Sequence, residues 1–152
     1  MLHIHKNVEA PNRSGWGLSF TPQGSTPVYE TARLTIPGEP RAKARPRVTR
    51  NGTYTPKTTR DYETTIKAFW DSTEHPDKPP CVRLDVTFYL GTHRHVDADN
   101  LVKCVKDALN GRAYDDDWQV HEVRARKYYT TRALARTEVT IYGIDPDREE
   151  SA

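Results

Sequence analysis

Residues 82–111 read VRLDVTFYLGTHRHVDADNLVKCVKDALNG, and this stretch decides the fold. Apolar side chains alternate with more polar ones over residues 82–90, which is the pattern of a half-buried strand. Apolar residues then recur at helical spacing over residues 98–110, and Gly111 suits the position that follows the last helical turn. The stretch therefore predicts a strand that leads directly into an amphipathic helix.

The flanking segments add further strands and a second helix. The predicted elements on either side of this stretch are a strand at 32–36, a hairpin whose turn is Asn51-Gly52, a helix at 58–70 capped by Thr58 or Thr59, and strands at 119–129 and 132–142. The order β-α-β-α-β-β predicts an α+β fold, or α/β in the loose sense, in which one mixed sheet is covered by two helices.

The length of 152 residues fits one folded domain. We expect a polar N-terminal extension at 1–30, in which the alternation of Trp16, Leu18 and Phe20 allows one short strand. The domain itself is expected at 31–143, followed by an acidic tail at 144–152. Two cysteines without C-x-x-C spacing suit a reducing cytoplasm, and no apolar run approaches the ~18 residues of a membrane helix.

Positive charge is concentrated in residues 41–60, which we call the basic arm. The arm contains no Asp or Glu, although the net charge of the whole chain is only +2. Its basic residues are Arg41, Lys43, Arg45, Arg47, Arg50, Lys57 and Arg60. Such a segment is either a solvated loop or a surface that neutralises phosphates.

Three carboxylates flank the predicted helix at 98–110. Asp97 and Asp99 stand at its entrance, and Asp117 begins the strand that follows it. If the next strand returns to the same end of the sheet, all three could bind a divalent cation, and two such ions could promote phosphodiester cleavage. Taken separately, the same residues are an ordinary helix cap and a solvated turn. Lys103, one helical turn after Asp99, is predicted either to pair with it or to meet a phosphate.

A second metal motif overlaps the first. His95, Asp97 and Asp99 form H-x-D-x-D, and on an extended segment their side chains would point the same way. A histidine with two carboxylates could hold zinc or iron. This alternative remains open at the level of the sequence.

Five motifs together resemble the RusA family of Holliday-junction resolvases, especially its phage-borne members. The motifs are DADNLVK at 97–103, DALNG at 107–111, DDWQV at 116–120, PRAKARPR at 40–47 and YTPKTTRDY at 54–62. The resemblance covers about residues 32–143. The first and third motifs are specific as a pair at this spacing.

This resemblance implies a homodimeric, Mg²⁺-dependent endonuclease, with Mn²⁺ as a substitute ion, that nicks four-way DNA junctions symmetrically. Asp97, Asp99 and Asp117 match the family's metal-binding carboxylates, with Asp116 as the second choice for the third ligand, and Lys103 matches its functional lysine. The resemblance also implies action in the cytoplasm, that of the host cell if the chain is phage-encoded. Phosphate contacts are then expected from Arg41, Lys43, Arg45, Arg47, Arg50 and Lys57. The rival hypotheses are a non-catalytic basic DNA-binding module and a protein with no nucleic-acid role.

Overall fold

The computed structural model describes residues 28–145, together with the backbone of residues 18–19. A five-stranded mixed sheet has the order β1-β2-β7-β5-β6. Its strands are β1 (Leu18–Ser19), β2 (Val28–Pro37), β5 (Cys81–Leu90), β6 (Val120–Tyr129) and β7 (Arg136–Ile144). Two helices, α1 (Lys57–Asp71) and α2 (Ala98–Leu109), and a separate hairpin of β3 (Arg47–Thr49) and β4 (Gly52–Tyr54) complete the fold. The predicted fold class is confirmed.

Strand β5 lies between β7 and β6 in the sheet. It pairs antiparallel with β7 on one side and parallel with β6 on the other. A parallel pair needs a crossover connection, and α2 supplies it. The predicted alternation in β5 is confirmed, since Val82, Leu84 and Phe88 are fully buried.

Both helices pack on one face of the sheet and form a single core. Tyr62, Ile66 and Trp70 of α1 and Leu101 and Val105 of α2 bury their side chains there. The predicted cap of α1 was wrong: the helix begins at Lys57 after Pro56, with no side-chain cap. Proline is well suited to this boundary because it lacks the N–H group that a helix start would leave unpaired.

The end of α2 follows the expectation from its sequence. The helix stops at Leu109, and Gly111 adopts φ 75°, a left-handed conformation that other residues adopt only with strain. The chain can therefore turn sharply towards the acidic run at 115–117.

The opposite face of the sheet is polar. Arg83 lies there with its guanidinium 4.2 Å from the ring centre of Tyr142 and its Nε 3.1 Å from Asp85. Strand β6 forms one edge of the sheet, and most of its residues are exposed on both faces. One long side of α2 is consequently left open next to β6.

Two predicted segments fall mainly outside the described residues. The short strand that the N-terminal alternation allows is present at residues 18–19, where it pairs antiparallel with β2. Trp16, Phe20 and the acids of the tail at 147–150 lie outside the described residues. No helix in the described ranges has the length and apolar character to span a bilayer.

Candidate active-site groove and basic arm

A groove with a volume of about 480 Å³ runs between α2 and the exposed strand β6. It is lined by three carboxylates, two lysines and three small apolar side chains: Asp99, Asp107, Asp117, Lys103, Lys106, Val102, Val123 and Ala125. The groove is open because no further strand of the described chain covers β6 on its outer side. It combines oxygen ligands with positive charge, as a site for a cation and a phosphate would.

The spacing of charged residues in α2 explains one wall of the groove. Asp99, Lys103 and Lys106 follow one another at intervals of four and three residues, so they lie on one side of the helix. Leu101 and Cys104, on the other side, are fully buried in the core. Burial of that apolar face holds the polar face towards β6.

Lys103 forms no ion pair with any described residue, including Asp99. The interpretation of Lys103 as a plain i, i+4 ion pair is therefore wrong within the described chain. Asp107, four residues after Lys103 on the same helix, pairs with Lys43 at 2.8 Å. The ammonium group of Lys103 stays available in the groove.

Asp117 contributes the opposite wall from a 3₁₀ turn at Asp117–Gln119. Gln119 is buried and fixes this turn: its Oε1 accepts hydrogen bonds from the backbone N–H groups of Asp115 and Asp116, and its Nε2 donates to the Pro80 carbonyl. The Oδ1 atom of Asp117 is buried and has no hydrogen-bond partner among the described residues. A buried carboxylate oxygen without a partner is costly, and a bound cation would remove that cost.

The other two acids of the run have different surroundings. Asp115 pairs with Lys78 at 2.8 Å, and Asp116 is exposed at the start of the 3₁₀ turn. Neither lines the groove. Their placement supports Asp117, rather than Asp116, as the third candidate ligand.

Asp97 is exposed at the N-cap position of α2, but its side chain makes no capping hydrogen bond. Its nearest polar contact is Asn100, whose Nδ2 lies 3.5 Å from Oδ2. The Asp97 carboxylate therefore does not act as an ordinary helix cap. It lies at the helix start, two residues before Asp99.

Asp97, Asp99 and Asp117, which are expected to share a cation, do not form one cluster among the described residues. The described residues include no cluster of three or more His, Cys, Asp or Glu side chains that could hold a metal ion, so the H-x-D-x-D site with His95 is not formed there either. Parallel pairing is the reason. It puts the start of β6 beside the start of β5, whereas Asp97 follows the end of β5.

Lys43, one of the residues predicted to contact DNA, pairs with carboxylates of both helices. Its Nζ lies 2.5 Å from Glu63 of α1 and 2.8 Å from Asp107 of α2. Its backbone N–H donates to the carbonyl of Asn100 at 2.8 Å. Burial alone would lower the pKa of Lys43, but hydrogen bonds to Asp107 and Glu63 outweigh it and raise the pKa. Lys43 therefore fastens the basic arm to both helices.

The remaining cations of the arm are more accessible. Arg45, Arg47 and Arg50 are exposed, and Arg41 is half-buried. None of these four forms an ion pair within the described part of the chain. Lys57 makes only a loose, exposed contact with Asp61 at 3.5 Å. The guanidinium groups of the four arginines can therefore meet phosphates.

Two lysines of this region were missed at the level of the sequence. Lys106 lines the groove, and Lys127 of β6 donates to the carbonyl of Val96 at 2.6 Å, just before Asp97. Lys106 could have been identified from its helical spacing to Asp99 and Lys103. Lys127 could not, because its contact depends on the pairing of β6 with β5.

Cys104 lies beneath the groove but takes no part in it. Burial, with a smaller contribution from Glu63, raises the pKa of its thiol to about 12. A neutral, fully buried thiol is unreactive. This confirms that Cys104 belongs to the core.

Comparison with known families gave one match that covers most of the domain. The family described as "Endodeoxyribonuclease RusA" matches residues 37–142, well over half of the 152-residue chain. The matched segment includes the basic arm, α2, the acidic run and β6. No curated protein matches the chain significantly.

Proposed function

Because the chain belongs to the RusA family of endodeoxyribonucleases, we propose that it resolves four-way DNA junctions by symmetric, divalent-metal-dependent hydrolysis of phosphodiester bonds. The observation that carries this proposal is the groove between α2 and β6, whose lining includes Asp99, Lys103 and Asp117. The basic arm lies beside this groove, where the backbone N–H of Lys43 donates to the carbonyl of Asn100. Membership of the family indicates junction endonuclease activity in general. We add to this that the reaction requires a divalent metal ion and that the two cuts are symmetric.

The carboxylates of the groove fit a hard cation such as Mg²⁺. Mg²⁺ is usually bound by one or two protein carboxylates, while waters and substrate phosphates complete its six ligands. Asp99 and Asp117 each bring a carboxylate to the lining of the groove, and Asp97 is available at the helix start, so one or two of these side chains would hold the ion. The unpartnered Oδ1 of Asp117 supports this assignment. When bound, the ion supplies a Lewis acid that polarises the phosphoryl group and lowers the pKa of bound water. Mn²⁺ shares the preference for oxygen ligands and should substitute.

Lys103 has the task of offsetting negative charge on the phosphate. In the proposed reaction a water molecule adds to phosphorus, the bond from phosphorus to the 3′ oxygen breaks, and the products are a 5′-phosphate and a 3′-hydroxyl. Negative charge on the phosphoryl oxygens develops near the Lys103 ammonium group, which is fixed on α2 and unpaired in the described chain. Lys106 lines the same groove and adds to the positive field.

The basic arm supplies affinity for the DNA backbone. Arg41, Arg45, Arg47 and Arg50 have no acidic partner among the described residues and can neutralise phosphates. Contacts of this kind carry no sequence information. They position branched DNA so that one strand enters the groove.

We further propose that the enzyme acts as a homodimer in the cytoplasm, the host's if the chain is phage-encoded. A four-way junction is close to two-fold symmetric. A two-fold dimer would place one groove on each of two opposed strands, and paired nicks would leave two ligatable duplexes.

One set of assays tests the proposal. A labelled four-way junction, a duplex and a flap are each incubated with Mg²⁺, with Mn²⁺ or with EDTA. We expect symmetric nicks in the junction that require the metal ion and that disappear in Asp117→Asn. Junction binding without cutting at any metal concentration would instead identify a non-catalytic DNA-binding module. Absence of salt-dependent binding would exclude both functions.

A further inference from the structure

The β3–β4 hairpin within the basic arm presents an apolar side chain to solvent. All six strand residues of the hairpin are exposed. Val48 is 82% exposed, more than the other large apolar side chains in the described chain. A two-stranded hairpin without a core is only marginally stable in water, so its apolar residue is not there to stabilise the fold.

The pairing of the hairpin separates its side chains into two faces. Val48 lies opposite Thr53 on one face, and Arg47 lies opposite Tyr54 on the other. The sequence predicts a turn at Asn51-Gly52, but the two turn residues are Arg50 and Asn51, because Gly52 pairs with Thr49 as the first residue of β4. A 3.0 Å hydrogen bond from the Thr49 hydroxyl to the Gly52 carbonyl closes this turn. One face of the hairpin therefore carries Val48 as its apolar side chain, beside Thr53, and the other face is basic and aromatic.

Both ends of the arm are fastened near the groove. On one side Lys43 is bound to α1 and α2, and its backbone N–H bonds to Asn100, the neighbour of Asp99. On the other side the chain enters α1 at Lys57. The segment that leads into the hairpin is consequently held beside the start of α2, which carries Asp97 and Asp99.

The positive charge of the basic arm favours nucleic acid as the partner of this hairpin. Arg45, Arg47 and Arg50 surround Val48 along the chain, and no acid occurs between Arg41 and Arg60. A surface that combines phosphate-binding cations with one protruding aliphatic side chain suits nucleic acid whose bases are accessible. Proteins that kink DNA insert apolar wedges of this kind between base steps.

We propose that the hairpin inserts Val48 against unstacked base pairs at the branch point of DNA, and that this contact distinguishes branched from continuous duplex. The inference rests on the proposed function and goes beyond it by assigning structure selectivity to one side chain. Continuous duplex offers no open step, so Val48 adds nothing to its binding. The arginines bind both kinds of DNA alike.

The test compares Val48→Thr, which keeps the β-branched shape but replaces a methyl group with a hydroxyl, with Thr53→Ala as a control on the same face. Binding to junction and to duplex is measured at one salt concentration, and 2-aminopurine at the branch point reports unstacking. Val48→Thr should weaken junction binding roughly tenfold, or about 1.4 kcal/mol. Duplex binding should not change, and the 2-aminopurine signal should fall. Thr53→Ala should leave all three measurements as they are.

An unchanged ratio of junction to duplex affinity in Val48→Thr and in a second variant, Val48→Ala, would overturn the inference. That result would leave the proposed function intact as long as the natural protein still cuts junctions. If the natural protein shows no junction cleavage at all, the proposed function fails first. Val48 and Thr53 are both exposed, so thermal melts of the variants should match that of the natural protein.

Discussion

At the scale of single residues, three consecutive aspartates have three different surroundings. Asp115 is neutralised by Lys78, Asp116 is exposed at the N-cap position of a 3₁₀ turn, and Asp117 lines the groove and has one buried oxygen without a hydrogen-bond partner among the described residues. The chemistry of the side chains is identical. The buried amide of Gln119, which fixes the turn, decides which of them faces α2.

Asp117→Asn should lower the cleavage rate by at least about 100-fold, because it removes the charge that would balance a metal ion in the groove. Junction affinity should persist, since the basic arm is unchanged. Single-turnover cleavage and a gel-shift titration measure the two effects. Asp115→Asn is the matched control, two residues away and outside the groove, and should cut at a near-normal rate. Equal reductions in rate in both variants would place the metal elsewhere.

Lys103→Ala should lower the rate by about 100-fold as well, but without loss of stability. Lys103 has no ion pair in the described chain, so its removal breaks no salt bridge that supports the fold. If Lys103 formed only an exposed ion pair, Lys103→Ala would instead lower the stability by about 0.5 kcal/mol and change the rate little. Thermal melts beside single-turnover rates separate these cases. Lys67→Ala, a helical lysine on α1 away from the groove, serves as the control.

At the scale of elements, Lys43 joins three segments that are far apart in sequence. Its ammonium bridges Glu63 of α1 and Asp107 of α2, and only 21% of its side chain is exposed. The basic arm, which has no regular structure between β2 and β3, gains a fixed path from this bridge. Placement of the arm therefore depends on a lysine whose charge is paired with two carboxylates.

Lys43→Met should destabilise the protein by about 2 kcal/mol, because two carboxylates then lose their shared hydrogen-bond donor. Combining it with Glu63→Gln and Asp107→Asn should restore part of the stability by removing the uncompensated charges. The pKa of Lys43 is raised on folding, so its stabilisation is fully present below its ordinary pKa of 10.5 and disappears as the pH rises through the higher folded value. Urea denaturation at pH 7 and at strongly alkaline pH measures both effects. A variant as stable as the natural protein at pH 7 would contradict the bridging role.

At the scale of the whole molecule, charge is segregated rather than abundant. The net charge is +2, yet the arm carries seven cations and no acid, and the groove beside it carries three carboxylates. This arrangement draws DNA to the arm while leaving oxygen ligands for a cation. A uniformly basic protein of the same net charge would lack that division.

Replacement of Arg45 and Arg47 with Ala should weaken binding to junction, flap and duplex alike. The slope of log K against log salt should become shallower by about 0.9 for each phosphate that the variant no longer neutralises. Arg33→Ala with Arg112→Ala removes the same charge from residues that already pair with Glu30 and Asp71, and the slope should stay the same. Salt titrations of fluorescence anisotropy provide the slopes. An unchanged slope in the arm variant would show that these arginines do not bind phosphate.

The sequence by itself determined the elements and much of the site's chemistry. The alternation in β5, the polar stripe of α2, the β3–β4 hairpin and the exposed arginines all follow from residues within a few positions of one another, and local conformation depends on such neighbours. Tertiary structure decided the rest. Parallel pairing of β6 with β5 separates Asp97 from Asp117, and the packing of α1 on α2 pairs Lys43 with Glu63 and Asp107. These interactions join residues 20 or more positions apart. No local sequence pattern predicts them, because they form only when separate elements pack together in one core.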